Sequence, residues 1–290
     1  MFEGFERHRV PTGEVEINAV RGGSGPPVLL LHGYPQTHAM WDRVASILAD
    51  DFTVVAADLR GYGDSSKPEG DTEHARYSKR AMAADQVEVM GHFGFEPFAV
   101  VGHDRGGRVG HRIALDHPEK ITKLAALDIV PTRHVFETVG KDLATVYYHW
   151  FFLIQPYDLP ERLIGGDPSY FLHQALGRYG ADLSIFAPEA LAHYERCFAD
   201  PATIHASCED YRAAASIDLV HDEADRNRKL QCPLFLLWGA RAAMHGLYDI
   251  SEVWRGYAHD VRGKPLDTGH YLAEERPEET ARELAAFLSG

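Results

Sequence analysis

Short apolar runs alternate with helical segments along residues 1–131. Apolar residues dominate positions 27–32, 52–57, 98–101 and 124–129, and runs of this length predict strands buried on both faces of a sheet. Helical spacing predicts helices at residues 41–48, at residues 79–92 behind a Ser78 cap, and after residue 104. This alternation predicts an α/β fold, with a mostly parallel sheet flanked by helices.

The pattern changes after Pro131. Residues 132–225 show helical spacing, many aromatics and no clear buried strand. Strand signals return at residues 234–237 and more weakly near Val261, followed by a helix at about residues 278–288. Two short strands are also expected around Pro11-Thr12-Gly13. We predict a core formed by residues 1–131 and 226–290, with an inserted helical cap at residues 132–225.

The charge balance narrows the classes of partner. The chain carries 29 lysines and arginines against 43 aspartates and glutamates, which argues against binding to nucleic acid. An acidic surface repels anions, so an anionic substrate would need its own local cations. Dinucleotide, phosphate-loop and zinc-protease motifs are missing, so we expect neither a cofactor nor a metal.

The N-terminal residues and the cysteines indicate where the protein is located. The first residues lack the basic and apolar regions of a signal peptide, and no apolar stretch is long enough to span a bilayer. Cys197, Cys208 and Cys232 are odd in number and lack metal or redox spacing, which predicts free thiols. We therefore expect a cytoplasmic protein that does not bind membranes.

The most informative motif is Gly102-His103-Asp104-Arg105-Gly106. It joins a predicted strand to a predicted helix, and such a tight turn presents its central side chain at the helix N-terminus. An aspartate suits displacement of a leaving group from a saturated carbon, which forms an ester that water later hydrolyses. Asp104 is therefore the candidate nucleophile. An alternative is that Asp104 only caps the helix, although this leaves the two glycines unexplained.

A nucleophile on such a turn needs a base and an orienting acid, in the chain order nucleophile, acid, histidine. His270 lies in a loop after the last predicted strand, where it can activate water. No carboxylate follows Trp238-Gly239 as far as Ala243, whereas Asp128 ends the strand that comes after the helix following Asp104. Asp128 is therefore the candidate acid, and the alternative is that it caps the next turn.

Two backbone N–H groups are expected to form an oxyanion hole. One belongs to the residue after the nucleophile, Arg105, and the other to Tyr34, in a turn after a buried strand. With an aspartate nucleophile, these donors hold its own carboxyl oxygen and then stabilise the oxyanion during ester hydrolysis.

Four motifs together resemble the α/β-hydrolase superfamily, in its dehalogenase and epoxide-hydrolase branch, over essentially the whole chain: His32-Gly33-Tyr34-Pro35, residues 58–65, residues 102–108 and Asp267-Thr268-Gly269-His270. Within that branch, the chain most resembles the fluoroacetate dehalogenases. The resemblance implies the α/β-hydrolase fold, Asp128 as the triad acid, no cofactor and a homodimer.

It also implies the substrate contacts. Arg105 and Arg108 would bind the substrate carboxylate, and His149, Trp150 and Tyr211 would bind the halide. Because a haloacetate is tiny and anionic, most of its binding energy must come from its carboxylate, and two guanidiniums one turn apart supply charge-assisted donors. The predicted reaction is hydrolytic dehalogenation of a short 2-haloacid, with fluoroacetate giving glycolate and fluoride. The residues leave open which halogen is preferred.

Competing interpretations remain at this stage. Asp104 and Arg108 are spaced i,i+4 and could form a surface ion pair, and His149 and Trp150 could simply pack in the aromatic face of a cap helix. An epoxide hydrolase would use the same nucleophile with acids from the cap. A non-catalytic binding protein on the hydrolase scaffold is a further alternative.

Overall fold

The computed structural model describes residues 1–177 and 182–290. Its eight-stranded sheet has the order β1-β2-β4-β3-β5-β6-β7-β8. The first two strands are antiparallel to their neighbours, and the remaining strands run parallel. The strands are β1 (Glu6–Thr12), β2 (Val15–Gly22), β3 (Pro27–Leu31), β4 (Thr53–Ala57), β5 (Phe98–His103), β6 (Ile121–Leu127), β7 (Leu234–Gly239) and β8 (Val261–Leu266).

Helices surround this sheet and fill the segment between β6 and β7. Before that segment lie α1 (Asp42–Leu48), α2 (Lys79–His92) and α3 (Arg105–Asp116). The segment contains α4 (Thr132–Thr138), α5 (Lys141–Val146), α6 (Tyr148–Leu153), α7 (Leu159–Gly165), α8 (Pro168–Gly177), α9 (Pro188–Phe198), α10 (Pro201–Ala214) and α11 (Ile217–Ala224). After it come α12 (Ala243–Leu247), α13 (Ile250–Arg255), α14 (Leu272–Glu275) and α15 (Pro277–Ser289).

Most helices and strands lie close to the positions predicted from the sequence. Ser78 caps α2 as expected, because its side chain accepts a hydrogen bond from the Ala81 N–H. The strand predicted at residues 124–129 is displaced: β6 begins at Ile121 and ends at Leu127. Asp128 leaves the strand with φ of 53°, a left-handed conformation that ends the ladder. The division into core (residues 1–131 and 226–290) and cap (residues 132–225) remains a prediction.

The parallel strands bring distant chain segments to one edge of the sheet. Leu31 pairs with Gly102, and His103 with Leu127, so that β3, β5 and β6 end together. Leu127 in turn pairs with Leu237 near the end of β7. Ligands of open α/β sheets bind beyond the carboxyl ends of their strands, so this edge is where a site is expected. Among the described residues, no helix is long and apolar enough to cross a membrane.

Candidate active site

The turn between β5 and α3 holds Asp104 in a rare backbone conformation. Its φ is 47° and its ψ is −115°. A Cβ on Gly102 would lie 2.4 Å from the Gly106 carbonyl oxygen, and one on Gly106 would lie 2.4 Å from the Leu31 carbonyl oxygen. Only glycine tolerates such close approach on both sides of Asp104. Residues 102–106 therefore force the Asp104 side chain to the N-terminus of α3.

The Asp104 carboxylate is buried among positive groups. Its Oδ1 accepts a hydrogen bond of 3.0 Å from the Tyr34 N–H, one of the two predicted oxyanion donors. Burial alone would raise the pKa of Asp104, but the charges of His270 and Arg108 outweigh it and lower that pKa. Asp104 is therefore ionised at neutral pH, as a nucleophile must be.

His270 and Asp128 meet although they lie far apart in the sequence. The distance from His270 Nδ1 to Asp128 Oδ2 is 2.5 Å, and Asp128 Oδ1 accepts a hydrogen bond of 3.1 Å from the Gly239 N–H. The left-handed conformation of Asp128 turns its carboxylate towards the end of β7. Asp128 thus lies beside the end of β7, next to the position where an acid following Trp238-Gly239 would lie.

A buried histidine supports the His270 loop. His103, which directly precedes Asp104, donates through Nε2 to the backbone oxygen of His270 at 2.8 Å. Burial, followed by the charge of His270, lowers the pKa of His103 to about 3, so this imidazole stays neutral. The sequence analysis did not assign His103 a role, and only its place beside Asp104 could have pointed to one.

Arg105 is fully buried and bound to Asp210 of α10. Its Nε donates to Asp210 Oδ2 at 2.8 Å, and its Nη2 donates to Oδ1 at 2.6 Å and to the backbone oxygen at 2.8 Å. Burial opposes the charge of Arg105, but Asp210 outweighs it and raises the Arg105 pKa above its ordinary value. Arg105 Nη1 is buried and has no hydrogen-bond partner among residues 1–177 and 182–290.

Two more groups bind the Asp210 carboxylate, one through an ion pair and one through a hydrogen bond. The Lys79 ammonium forms an ion pair with Asp210 Oδ1, and the Tyr62 hydroxyl donates to Oδ2 at 2.6 Å. The sequence analysis missed Asp210, Lys79 and Tyr62. A signal was available for Asp210, because a buried arginine beside the nucleophile requires a counter-ion.

Arg108 lies one turn further along α3. Its Nη1 donates to the Val130 backbone oxygen at 2.9 Å and to Thr132 Oγ1 at 3.1 Å. Its Nε is buried without a hydrogen-bond partner in the described chain. Asp104 and Arg108 are both buried, so the alternative of an ion pair on the helix surface is wrong.

Three aromatic residues from the segment between β6 and β7 lie together, and two of them, Trp150 and Tyr211, pack against these arginines. The Tyr211 ring lies 5.5 Å from the His149 ring and 5.9 Å from the Trp150 ring. The Arg105 guanidinium carbon is 4.1 Å from the centre of Tyr211, and that of Arg108 is 4.6 Å from Trp150. All the predicted carboxylate-binding and halide-binding side chains therefore share one buried cluster, although their roles remain predictions.

A family model for the α/β hydrolase fold matches residues 26–277. The chain belongs to the α/β-hydrolase family. A fluoroacetate dehalogenase from Burkholderia sp is 51% identical over 290 residues, covering 100% of this chain and 95% of that protein. The predictions of an α/β-hydrolase fold and of a haloacetate-dehalogenase-like hydrolase are confirmed.

Two further relatives of this α/β-hydrolase place it within the family. A soluble epoxide hydrolase from Corynebacterium sp. (strain C12) is 33% identical and covers 93% of each chain. The crystal structure of a candidate α/β hydrolase from Nostoc sp PCC 7120 superimposes with a TM-score of 0.99 at 57% identity, covering 100% of this chain and 99% of the other. The likeness thus covers the whole chain, including the segment between β6 and β7.

Proposed function

We propose that this α/β-hydrolase cleaves the carbon–halogen bond of a short 2-haloacid, with fluoroacetate as substrate and glycolate and fluoride as products. The observation that carries this proposal is the pair Arg105 and Arg108 beside Asp104. Each guanidinium is buried and keeps one nitrogen, Nη1 of Arg105 and Nε of Arg108, without a hydrogen-bond partner in the described chain. Buried unsatisfied donors are costly, and a substrate carboxylate is a ligand that would satisfy both.

In the first step, Asp104 displaces the halide. Because the Tyr34 N–H holds Oδ1 at 3.0 Å, Oδ2 attacks the α-carbon from the side opposite the halogen. A new C–O bond forms, the carbon–halogen bond breaks, and the halide leaves with the bonding electron pair. The buried Trp150 Nε1–H has no hydrogen-bond partner in the described chain. In this proposal it donates to the departing halide together with His149 and Tyr211, whose rings lie beside it and each other.

In the second step, water hydrolyses the glycolyl ester. His270 donates through Nδ1 to Asp128, so Nε2 acts as the base that takes a proton from water. Hydroxide adds to the ester carbonyl carbon, and the Tyr34 and Arg105 N–H groups stabilise the oxyanion on Oδ1. Asp128 stabilises the imidazolium that forms. When the intermediate collapses, the bond from the carbonyl carbon to the glycolyl oxygen breaks, and that oxygen takes the proton from His270 as glycolate leaves. The new Asp104 carboxyl group then releases its proton to solvent, which restores the carboxylate.

Epoxide hydrolysis is a second candidate function, favoured by the 33% identity to the Corynebacterium enzyme. It would use Asp104 and His270 in the same way but would need acidic protons from the cap to open the ring. The buried arginines argue against it, because a neutral epoxide lacks the carboxylate that would satisfy the Arg105 Nη1 and Arg108 Nε donors.

One assay separates the candidates. The purified protein is incubated with fluoroacetate and, in parallel, with styrene oxide, while fluoride and diol are measured. We expect fluoride and glycolate in equal amounts and no release by Asp104→Ala. Diol formation without fluoride would favour the epoxide hydrolase, and ligand-induced stabilisation without any product would favour a binding protein.

A further inference from the structure

A second cluster of reactive side chains lies outside the site described above. Asp64 follows β4 in the chain, and His193 and Cys197 lie one turn apart on α9. One ligand atom from each of these three residues lies within 4.8 Å of the others. Carboxylate, imidazole and thiolate are the three ligand types that zinc uses in proteins.

The spacing of the two helical ligands matches a tetrahedral metal centre. Cys197 Sγ lies 3.6 Å from His193 Nε2. With Zn–S near 2.3 Å and Zn–N near 2.0–2.1 Å, the tetrahedral angle places sulfur and nitrogen about 3.6 Å apart. The two atoms therefore already have the separation that one shared zinc ion requires, and Asp64 offers the third ligand of the same cluster.

The positively charged Arg196 side chain already contacts two residues of this cluster. Arg196 Nη2 donates to Asp64 Oδ2 at 2.8 Å and lies 3.2 Å from His193 Nδ1. The Arg196 side chain is 57% exposed, so it can swing into water once its ion pair with Asp64 is broken. The cluster thus attracts positive charge, and Arg196 is the group that an incoming ion would displace.

We propose that Asp64, His193 and Cys197 form a binding site for a thiophilic divalent cation of the Zn²⁺ class, with water as the fourth ligand. On binding, the Cys197 thiol proton passes to solvent and Arg196 releases Asp64. Hard cations such as Ca²⁺ and Mg²⁺ do not fit, because they require oxygen ligands. This site is separate from the catalytic residues and does not depend on the proposed reaction.

Cobalt(II) is the probe that tests the site, because its thiolate complexes absorb in the near ultraviolet and its tetrahedral complexes absorb in the visible. The full-length protein, freed of metal by a chelator, is titrated with Co²⁺. We expect both bands to saturate at one equivalent and to disappear when Zn²⁺ is added. Their absence from the wild-type protein would overturn the proposal.

Three variants make the assignment specific. Cys197→Ser should remove the thiolate band, and Cys232→Ser, which changes another buried cysteine, should retain it. Arg196→Ala should bind Co²⁺ at least about tenfold more tightly, since the competing cation is gone. A thiolate band that persists in Cys197→Ser, or unchanged affinity in Arg196→Ala, would contradict the model. If Cys197→Ser misfolds, His193→Gln supplies the same test on a half-buried residue, and wild-type affinity there would also overturn it.

Discussion

The guanidinium of Arg105 and the carboxylate of Asp210 form a two-point hydrogen-bonded pair, with Nε–Oδ2 at 2.8 Å and Nη2–Oδ1 at 2.6 Å. Such a planar pair leaves the guanidinium one orientation. Arg105 therefore presents only Nη1 to a substrate. Asp210 is a positioning residue, since it acts through Arg105 rather than on the substrate.

Replacing Asp210 by asparagine should destabilise the fold and weaken substrate binding. The change leaves the buried Arg105 and Lys79 without their shared anion, and breaking a buried ion pair in this way typically costs about 3–5 kcal/mol. Denaturant unfolding measures the free energy, with Asp260→Asn as the control because its pair with Arg262 is exposed. A loss of unfolding free energy as small as that of the control would show that the Asp210 carboxylate does not stabilise the fold. If Asp210→Asn remains folded, KM for the haloacid should rise more than kcat falls.

The local features of the site follow from the sequence, because they depend on short stretches of chain. Two glycines around Asp104 predict the turn, and the missing carboxylate after Gly239 directs attention to Asp128. The partner of Arg105 was missed because it comes from α10, more than 100 residues away in the chain, and no local pattern indicates a contact between α3 and α10. The end of β6 was misplaced because Asp128 is stabilised in its left-handed conformation by tertiary hydrogen bonds, including one from the Gly239 N–H. The cluster of Asp64, His193 and Cys197 was also missed, because its third ligand is remote in sequence.

His270→Asn should trap the reaction at the ester. Asp104 still displaces the halide, but no base then activates the water that hydrolyses the ester. After incubation with a haloacetate, mass spectrometry of peptides should show a glycolyl adduct on the peptide that contains Asp104. An adduct on another peptide, or multiple turnovers by Asp104→Ala, would refute the covalent mechanism.

Asp128→Asn should slow ester hydrolysis more than ester formation. The amide keeps the size of the side chain but allows the wrong His270 tautomer and no longer stabilises its imidazolium, an effect worth about four orders of magnitude in a serine-protease triad. Rapid-quench kinetics should show a burst of halide release followed by slow turnover. Normal turnover in this variant would mean that the acid is another residue.

Glu274 should make stability fall as the pH rises towards neutrality. Its Oε1 accepts hydrogen bonds from the Tyr194 hydroxyl at 2.5 Å and from Gln36 Nε2 at 3.2 Å. Burial raises the pKa of Glu274 from 4.5 to about 7. Folding therefore takes up a proton between these values, so the stabilisation is complete below the lower pKa and is lost as the pH rises through the upper one.

Glu274→Gln isolates this effect, because the amide stays neutral at every pH. The melting temperature of the wild-type protein, relative to that of Glu274→Gln, should decline between pH 5 and pH 7. Parallel profiles for the two proteins would show that Glu274 is ionised throughout this range.

Arg108 provides the sharpest test of the substrate class. If its buried guanidinium binds a carboxylate with Arg105, chloroacetate should react and chloroacetamide should not, since the neutral amide leaves buried charge uncompensated. Arg108→Lys should lower kcat/KM for chloroacetate by about one to two orders of magnitude, because a hydrogen bond to a charged group is worth roughly 1.5–3 kcal/mol and an ammonium cannot reproduce a planar donor set. Arg112→Lys, one turn further along α3 and paired with Asp222 and Asp225, is the matched control and should leave kcat/KM nearly unchanged. Equal rates on chloroacetate and chloroacetamide, together with an unchanged kcat/KM in Arg108→Lys, would contradict the proposal that haloacids are the substrate. The proposal that Asp104 is the nucleophile would still stand.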